Sequence, residues 1–174
     1  MPQRYHPVLV VLHWLLAAFL IGLLIAGTVL LAPVPNDDPA KLLSFRLHMG
    51  LGLLTFFLMV LRLAVRLTTR TPSPAVTGNA ALDRLARANH WALYLLAFVM
   101  AGSGIAMARA SGLPDAVFGD GPMPPDFADY TARRVHGLAS RLFMALIALH
   151  IAAALWHHFI RRDGILARMR LGPR

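Results

Sequence analysis

Four long apolar runs dominate this chain, at about residues 8–31, 42–67, 90–109 and 134–160. A helix rises about 1.5 Å per residue, so roughly 20 apolar residues cross the hydrocarbon core of a bilayer. Each run reaches that length, so the expected fold is all-α: an integral membrane four-helix bundle, one domain over residues 1–174. Composition agrees. The chain is 57% hydrophobic and 14% charged, where a soluble domain carries about a quarter charged residues.

The first run is longer than a signal-peptide core of about 7–15 residues, and it holds His13, so it reads as a signal anchor or first span. Pro33, Pro35 and Pro39, with Asn36, Asp37 and Asp38, end it in a polar loop. Residues 68–79 form a linker rich in Thr, Pro, Ser and Gly. Residues 80–88 are expected to form a separate amphipathic helix, with Arg84 and Arg87 at the lipid surface. Residues 111–129 are rich in Pro, Gly and Asp, show no helical period, and read as an irregular loop.

The net charge is +9 and Glu is absent. The arginines flank apolar runs and build no separate basic module, so they read as membrane anchors and not as a nucleic-acid surface. One side of the bundle collects Arg4, Arg66, Arg70, Arg84, Arg87, Arg161, Arg162, Arg168, Arg170 and Arg174. The other holds Lys41, Arg46, Arg109, Arg133 and Arg134, diluted by Asp37, Asp38, Asp115, Asp120, Asp126 and Asp129. The positive-inside rule then makes both termini cytoplasmic. Trp14, Trp91 and Trp156 fall near that same interface, as belt residues do.

An ionisable side chain within a bilayer is costly and usually functional, so the histidines carry the chemistry. His136 and His150 lie fourteen residues apart on the fourth run. That spacing puts them within about 40° of one face and about 21 Å apart. With a cytoplasmic N-terminus, His13 lies in the inner half of the first span and His48 near the outer end of the second. Matching by depth pairs His13 with His150 and His48 with His136. His157 shares a face with His150 but is only four residues from Arg161, so it is expected at the interface with His158, His90 and His6.

Each level thus offers two imidazoles, with no acid in the spans and no Cys in the chain. Zinc asks for three or four converging ligands. Two axial imidazoles suit a haem, whose porphyrin supplies the other four nitrogens. The lack of Cys excludes thiolate ligation, covalent attachment through Cys-x-x-Cys-His, and cysteine-held iron–sulfur clusters, leaving two b-type haems. Gly50, Gly52, Gly137, Ala152, Ala153 and Ala154, close to these histidines in sequence, are expected to make room for the macrocycle. With both axial positions filled, electron transfer is favoured over oxygen chemistry.

The pattern resembles the small bacterial cytochrome b561 family over essentially the whole chain. The resemblance rests on Arg4-Tyr5 and Leu12-His13-Trp14, then His48-Met49-Gly50, Arg62-Leu63 and Arg66. It continues through His90-Trp91-Ala92-Leu93-Tyr94, His136, His150 and His157-His158, and Arg161-Arg162-Asp163-Gly164-Ile165-Leu166. Members often carry a Pro near the position of Gly104, and this chain does not. The resemblance implies His13, His48, His136 and His150 as haem-iron ligands. It also implies a multi-pass protein of the bacterial inner (cytoplasmic) membrane that exchanges electrons with the quinone pool. Some members look like superoxide oxidases that reduce ubiquinone. Lys41, Arg46, Arg109, Arg133, Arg134 and Arg141 would then draw in the anion or pair with lipid phosphates or haem propionates, the latter being the expectation for Arg141. The alternative is an electron-transfer subunit linking quinone to a periplasmic dehydrogenase or hydrogenase, docked on residues 111–129. A metal or proton transporter would want acidic residues in the spans, and they hold none.

Overall fold

The computed structural model of the chain describes residues 4–171, so Arg174 lies outside the described residues. It contains helices α1 (Pro7–Ile25), α2 (Ala40–Thr68), α3 (Ala80–Ser111), α4 (Leu113–Phe118) and α5 (Thr131–Trp156). A wider π turn extends α1 over Ala26–Leu31 and another extends α5 over His157–Arg161, before a 3-10 turn at Ile165–Met169. No strand occurs among the described residues. Four helical segments are long and apolar enough to cross a membrane: Pro7–Leu31, Ala40–Thr68, Ala80–Ser111 and Thr131–Arg161.

Helix ends follow local chemistry. Pro7 opens α1, where a missing N–H costs nothing, and His6 Nδ1 accepts from Val8 N at 3.3 Å. Asp38 Oδ1 accepts from Ala40 N at the start of α2. Asn79 Oδ1 accepts from Ala81 N and Leu82 N at the start of α3, at 2.9 and 3.3 Å. Gly112 takes φ +69°, the left-handed conformation that ends α3.

Two expectations need correction. Residues 80–88 do not form a separate helix. They are the first turns of α3, because Asn79 caps the helix there and neither Gly nor Pro interrupts residues 80–101. The segment after Ser111 is not wholly irregular, since α4 lies within it. Six residues are too few to show a period, but Leu113 and Val117 are fully buried beneath the loops, packed with Phe45.

The helices pack as two pairs. α3 lies along α5 and α1 along α2, whereas neither α1 nor α2 packs closely on α5. Leu12, Leu16, Leu24, Met59, Tyr94, Ala97 and Phe143 form the central core. Only 11% of the most apolar stretch of α2 and of α5 is buried within the chain, so most of their apolar surface faces lipid or the space between the pairs.

Polar clasps close both ends. At the loop end the buried Lys41 ammonium donates to Val34 O and to Asn36 Oδ1, while Asn36 Nδ2 donates to Pro124 O and Arg46 Nε to Val117 O. At the other end, which carries both termini, Trp14 Nε1 donates to Met169 O and Tyr5 N to Arg168 O. There Arg161 and Arg168 donate to Thr77 O and Ser73 O of the linker. Trp91 and Trp156, beneath Arg66 and Arg161, share this end with Trp14.

Asn79→Ala removes the acceptor for two first-turn N–H groups and should destabilise the bundle by about 1 kcal/mol, read as a lower midpoint of detergent-induced unfolding. An unchanged midpoint would show that the Thr77–Asp83 contacts alone hold the start of α3.

Candidate functional site

Four of the histidines meet in the space that the two helix pairs leave open. The His13 ring on α1 faces His150 on α5, with centroids 6.2 Å apart and planes at 73°. His48 on α2 faces His136 on α5 at 6.4 Å and 69°. These are the pairs expected from depth. Two imidazoles binding one metal from opposite sides, through nitrogens about 2 Å from it as in other His-bound metals, hold their centroids about 6.3 Å apart. Edge-to-face packing of aromatic rings spans about 4.5–7 Å, so spacing alone does not separate the two. The setting does: these rings bridge helices that otherwise stand apart.

Around the second pair lies a cavity that is partly open to the surface. His48 and His136 line it with Gly52, Thr55, Phe56 and Met100, so its wall is mostly apolar. Among the described residues no group of three or more His, Cys, Asp or Glu side chains is arranged to hold a metal ion by itself, which does not match a zinc site. Paired imidazoles beside an apolar cavity fit a haem, and His13, His150, His48 and His136 are the residues that could hold one.

The tautomer of His136 follows from its neighbours. Its Nδ1 lies 3.0 Å from Met100 O and 3.1 Å from Ser103 Oγ. The carbonyl can only accept, and the Ser103 hydroxyl is spent on Val99 O at 2.6 Å. Nδ1 therefore carries the proton, and Nε2 keeps its lone pair for a metal. His48 Nδ1, by contrast, is buried without a partner.

Small residues do make room here, but from across the bundle. A Cβ on Gly104 would sit 3.3 Å from His136 Cε1, and one on Gly27 3.5 Å from His48 Cε1. Of the residues expected to do this from their place in sequence, Gly52 lines the cavity. Gly50, Ala152 and Ala153 are exposed, Ala154 is half-buried, and Gly137 is backed by the Arg133 guanidinium. Neighbours in sequence on a helix point in other directions, so the missed glycines, Gly27 and Gly104, lie on the facing helix.

The remaining histidines divide. His6 caps α1 and His158 is exposed against Phe159. His157 Nδ1 lies 2.5 Å from Asp163 Oδ2, with Arg161 Nε at 3.6 Å from the same oxygen. Burial pushes the Asp163 carboxyl up, but hydrogen bonds from His157 and Ile165 N, with the Arg161 charge, outweigh it and hold the carboxyl below its usual range. His90 departs from expectation. Its ring lies 5.3 Å from that of His150. Because α3 begins ten residues earlier, at Ala80, about 15 Å of helix lifts His90 away from the interface.

Arg141 lies on the exposed side of α5, and five residues of helix turn it about 140° from His136. Lys41 and Arg46 are engaged by the loop clasp, whereas Arg109 and Arg134 are exposed and Arg133 half-buried.

Comparison with known proteins points to one family. The family model described as prokaryotic cytochrome b561 matches residues 4–172. Cytochrome b561 homolog 2 of Escherichia coli (strain K12) is 32% identical over 173 residues, covering 97% of this chain and 92% of that protein. Probable superoxide oxidase CybB of Yersinia pestis is 29% identical over 179 residues, covering 97% of each.

Gly104→Val places a branched side chain against the His136 ring and should lower the haem content of the chain, read as haem per chain by pyridine haemochrome. Full haem content in the variant would show that the ring can yield.

Proposed function

Because this chain belongs to the prokaryotic cytochrome b561 family, electron-transfer proteins of bacterial membranes with b-type haem, we propose that it is a di-haem relay between a periplasmic donor and the quinone pool. The observation that carries this reading is the pair of imidazole pairs, at 6.2 and 6.4 Å, across the open side of α5. His13 and His150 hold one haem, His48 and His136 the other. A haem ligated on both axial faces supplies one-electron transfer with no open coordination position. His136 and His150, about 21 Å apart along one helix, carry the relay across much of the bilayer. The positive-inside rule puts the end carrying both termini in the cytoplasm of an inner-membrane protein.

Superoxide is the donor that this reading favours, and ubiquinone the acceptor. Two superoxide anions are oxidised to two dioxygen molecules, and their two electrons, with two protons, reduce one ubiquinone to ubiquinol. The similarity to a probable superoxide oxidase supports it. So do Arg109, Arg133 and Arg134 at the loop end, which attract a small anion. The second reading is a subunit that links quinone to a periplasmic dehydrogenase or hydrogenase. Phe118, exposed at the end of α4, favours such a dock.

Dithionite-reduced minus oxidised spectra, with haem quantified per chain, test the relay. Two b-type haems are expected, with about one lost in His48→Ala and in His150→Ala. No haem, after expression with ample haem, would sink the reading. Rapid reduction by superoxide alone should then separate the two donors. Arg133→Gln with Arg134→Gln should lower that rate and its salt dependence, and unchanged kinetics would remove both residues from the path.

A further inference from the structure

The guanidinium groups of Arg62 and Arg66 on α2 lie against aromatic rings of α3, and among the described residues no carboxylate pairs with either. Arg62 lies between α1, α2 and α3, where its Nη1 donates to Leu9 O at 2.9 Å and its guanidinium stands 5.8 Å from the Tyr94 ring centre. Arg66, one turn on, stands 5.9 Å from the same ring and 5.6 Å from Trp91. Stacking on aromatic faces offsets part of the cost of placing a cation here, but it supplies no counter-charge.

Tyr94 adds an independent sign. Only 8% of it is exposed, and its buried hydroxyl has the Arg62 guanidinium beside it, which can only donate, so its own O–H has no acceptor. A buried hydroxyl is rarely left so. Two positive charges and an orphaned donor on one ring describe a place for an oxyanion.

The place adjoins the His13–His150 pair. Leu9, which holds Arg62, is one turn before His13 on α1. Tyr94 is one turn after His90, whose ring touches that of His150.

We propose that Arg62, Arg66 and the Tyr94 hydroxyl form a seat for a carboxylate or phosphate-type oxyanion, filled by a propionate of the haem that His13 and His150 hold. This rests on the di-haem reading above. Arg62 and Tyr94 are then positioning residues: they fix the orientation of that haem about its axial ligands. Arg62 also favours its reduced form, because reduction removes a positive charge beside a guanidinium.

The test is a redox titration with resonance Raman spectroscopy on the purified holo-protein, in nanodiscs of phosphatidylcholine and, separately, of phosphatidylglycerol. Arg62→Gln should shift the midpoint potential of one haem downward, leave the other unmoved, and displace a propionate bending band. Tyr94→Phe should shift the same haem the same way by less, with the same band displaced. Arg62→Lys should recover most of the potential. If Arg62→Gln fails to retain haem, Tyr94→Phe, which removes one oxygen, decides alone. A shift confined to phosphatidylglycerol assigns the seat to a lipid phosphate and overturns its filling by a propionate. Potentials and bands unmoved by both variants overturn the seat itself. Haem content of the parent is measured first: fewer than two haems would defeat the di-haem reading and the proposed occupant with it, whereas unmoved variants of a two-haem parent defeat the seat alone.

Discussion

The bundle depends on one constraint: an imidazole in hydrocarbon must find work for both ring nitrogens. His136 meets it on one side through Nδ1 and Met100 O, which leaves the lone pair of Nε2 unspent. The helix arrangement follows the same need. α3 packs against α5 and α1 against α2, but α5 stands off from both α1 and α2, and those are the gaps that the imidazole pairs bridge. A bundle that closed them by ordinary side-chain packing would have nowhere to put a planar cofactor.

The two ends of that gap are not equivalent. Near the loops, His136 is tied by a hydrogen bond to α3 and the surrounding cavity is apolar. Such a bond raises the basicity of a ligating imidazole. Toward the termini, His150 adjoins a second imidazole, His90, and the Arg62 guanidinium holds Leu9 O, one turn before His13. Hydrogen bonding to the ligand and charge beside the macrocycle are separate levers on a haem, and under the proposed di-haem reading each level would use a different one.

Much of this was legible in sequence because depth along a helix is simple arithmetic. Distances from Arg4 and Arg161, with the helical rise, were enough to pair His13 with His150 and His48 with His136. What stayed hidden needed knowledge of direction around the helix. Gly104 and Gly27 approach the rings from facing helices, and no spacing within one run reports that. Arg141 was matched to His136 by proximity in sequence, yet the helix turns it to the exposed side. The level of His90 was missed for a different reason. Arg84 and Arg87 suggested a surface helix, whereas Asn79 starts α3 early and carries His90 inward. A cap residue followed by a stretch free of Gly and Pro was the usable signal.

Charge matching also sorts the basic residues, which sequence alone placed in one class. Lys41 and Arg46 donate to loop carbonyls, so they fasten the cap over α4 and are poorly placed to meet a diffusing anion. Arg161 and Arg168 do the same at the opposite end, holding the linker to the C-terminal arm. Arg62 and Arg66 have aromatic faces beneath them and no carboxylate among the described residues. At the loop end this leaves Arg109, Arg133 and Arg134, which make no hydrogen bond or ion pair through their side chains among the described residues. Attraction of a small anion falls off over about 8 Å at physiological salt, so only charges near the point of entry matter. A steering field built from three arginines near the His48–His136 level is a narrower claim than one built from every cation on that face, because it excludes the two that the fold itself consumes.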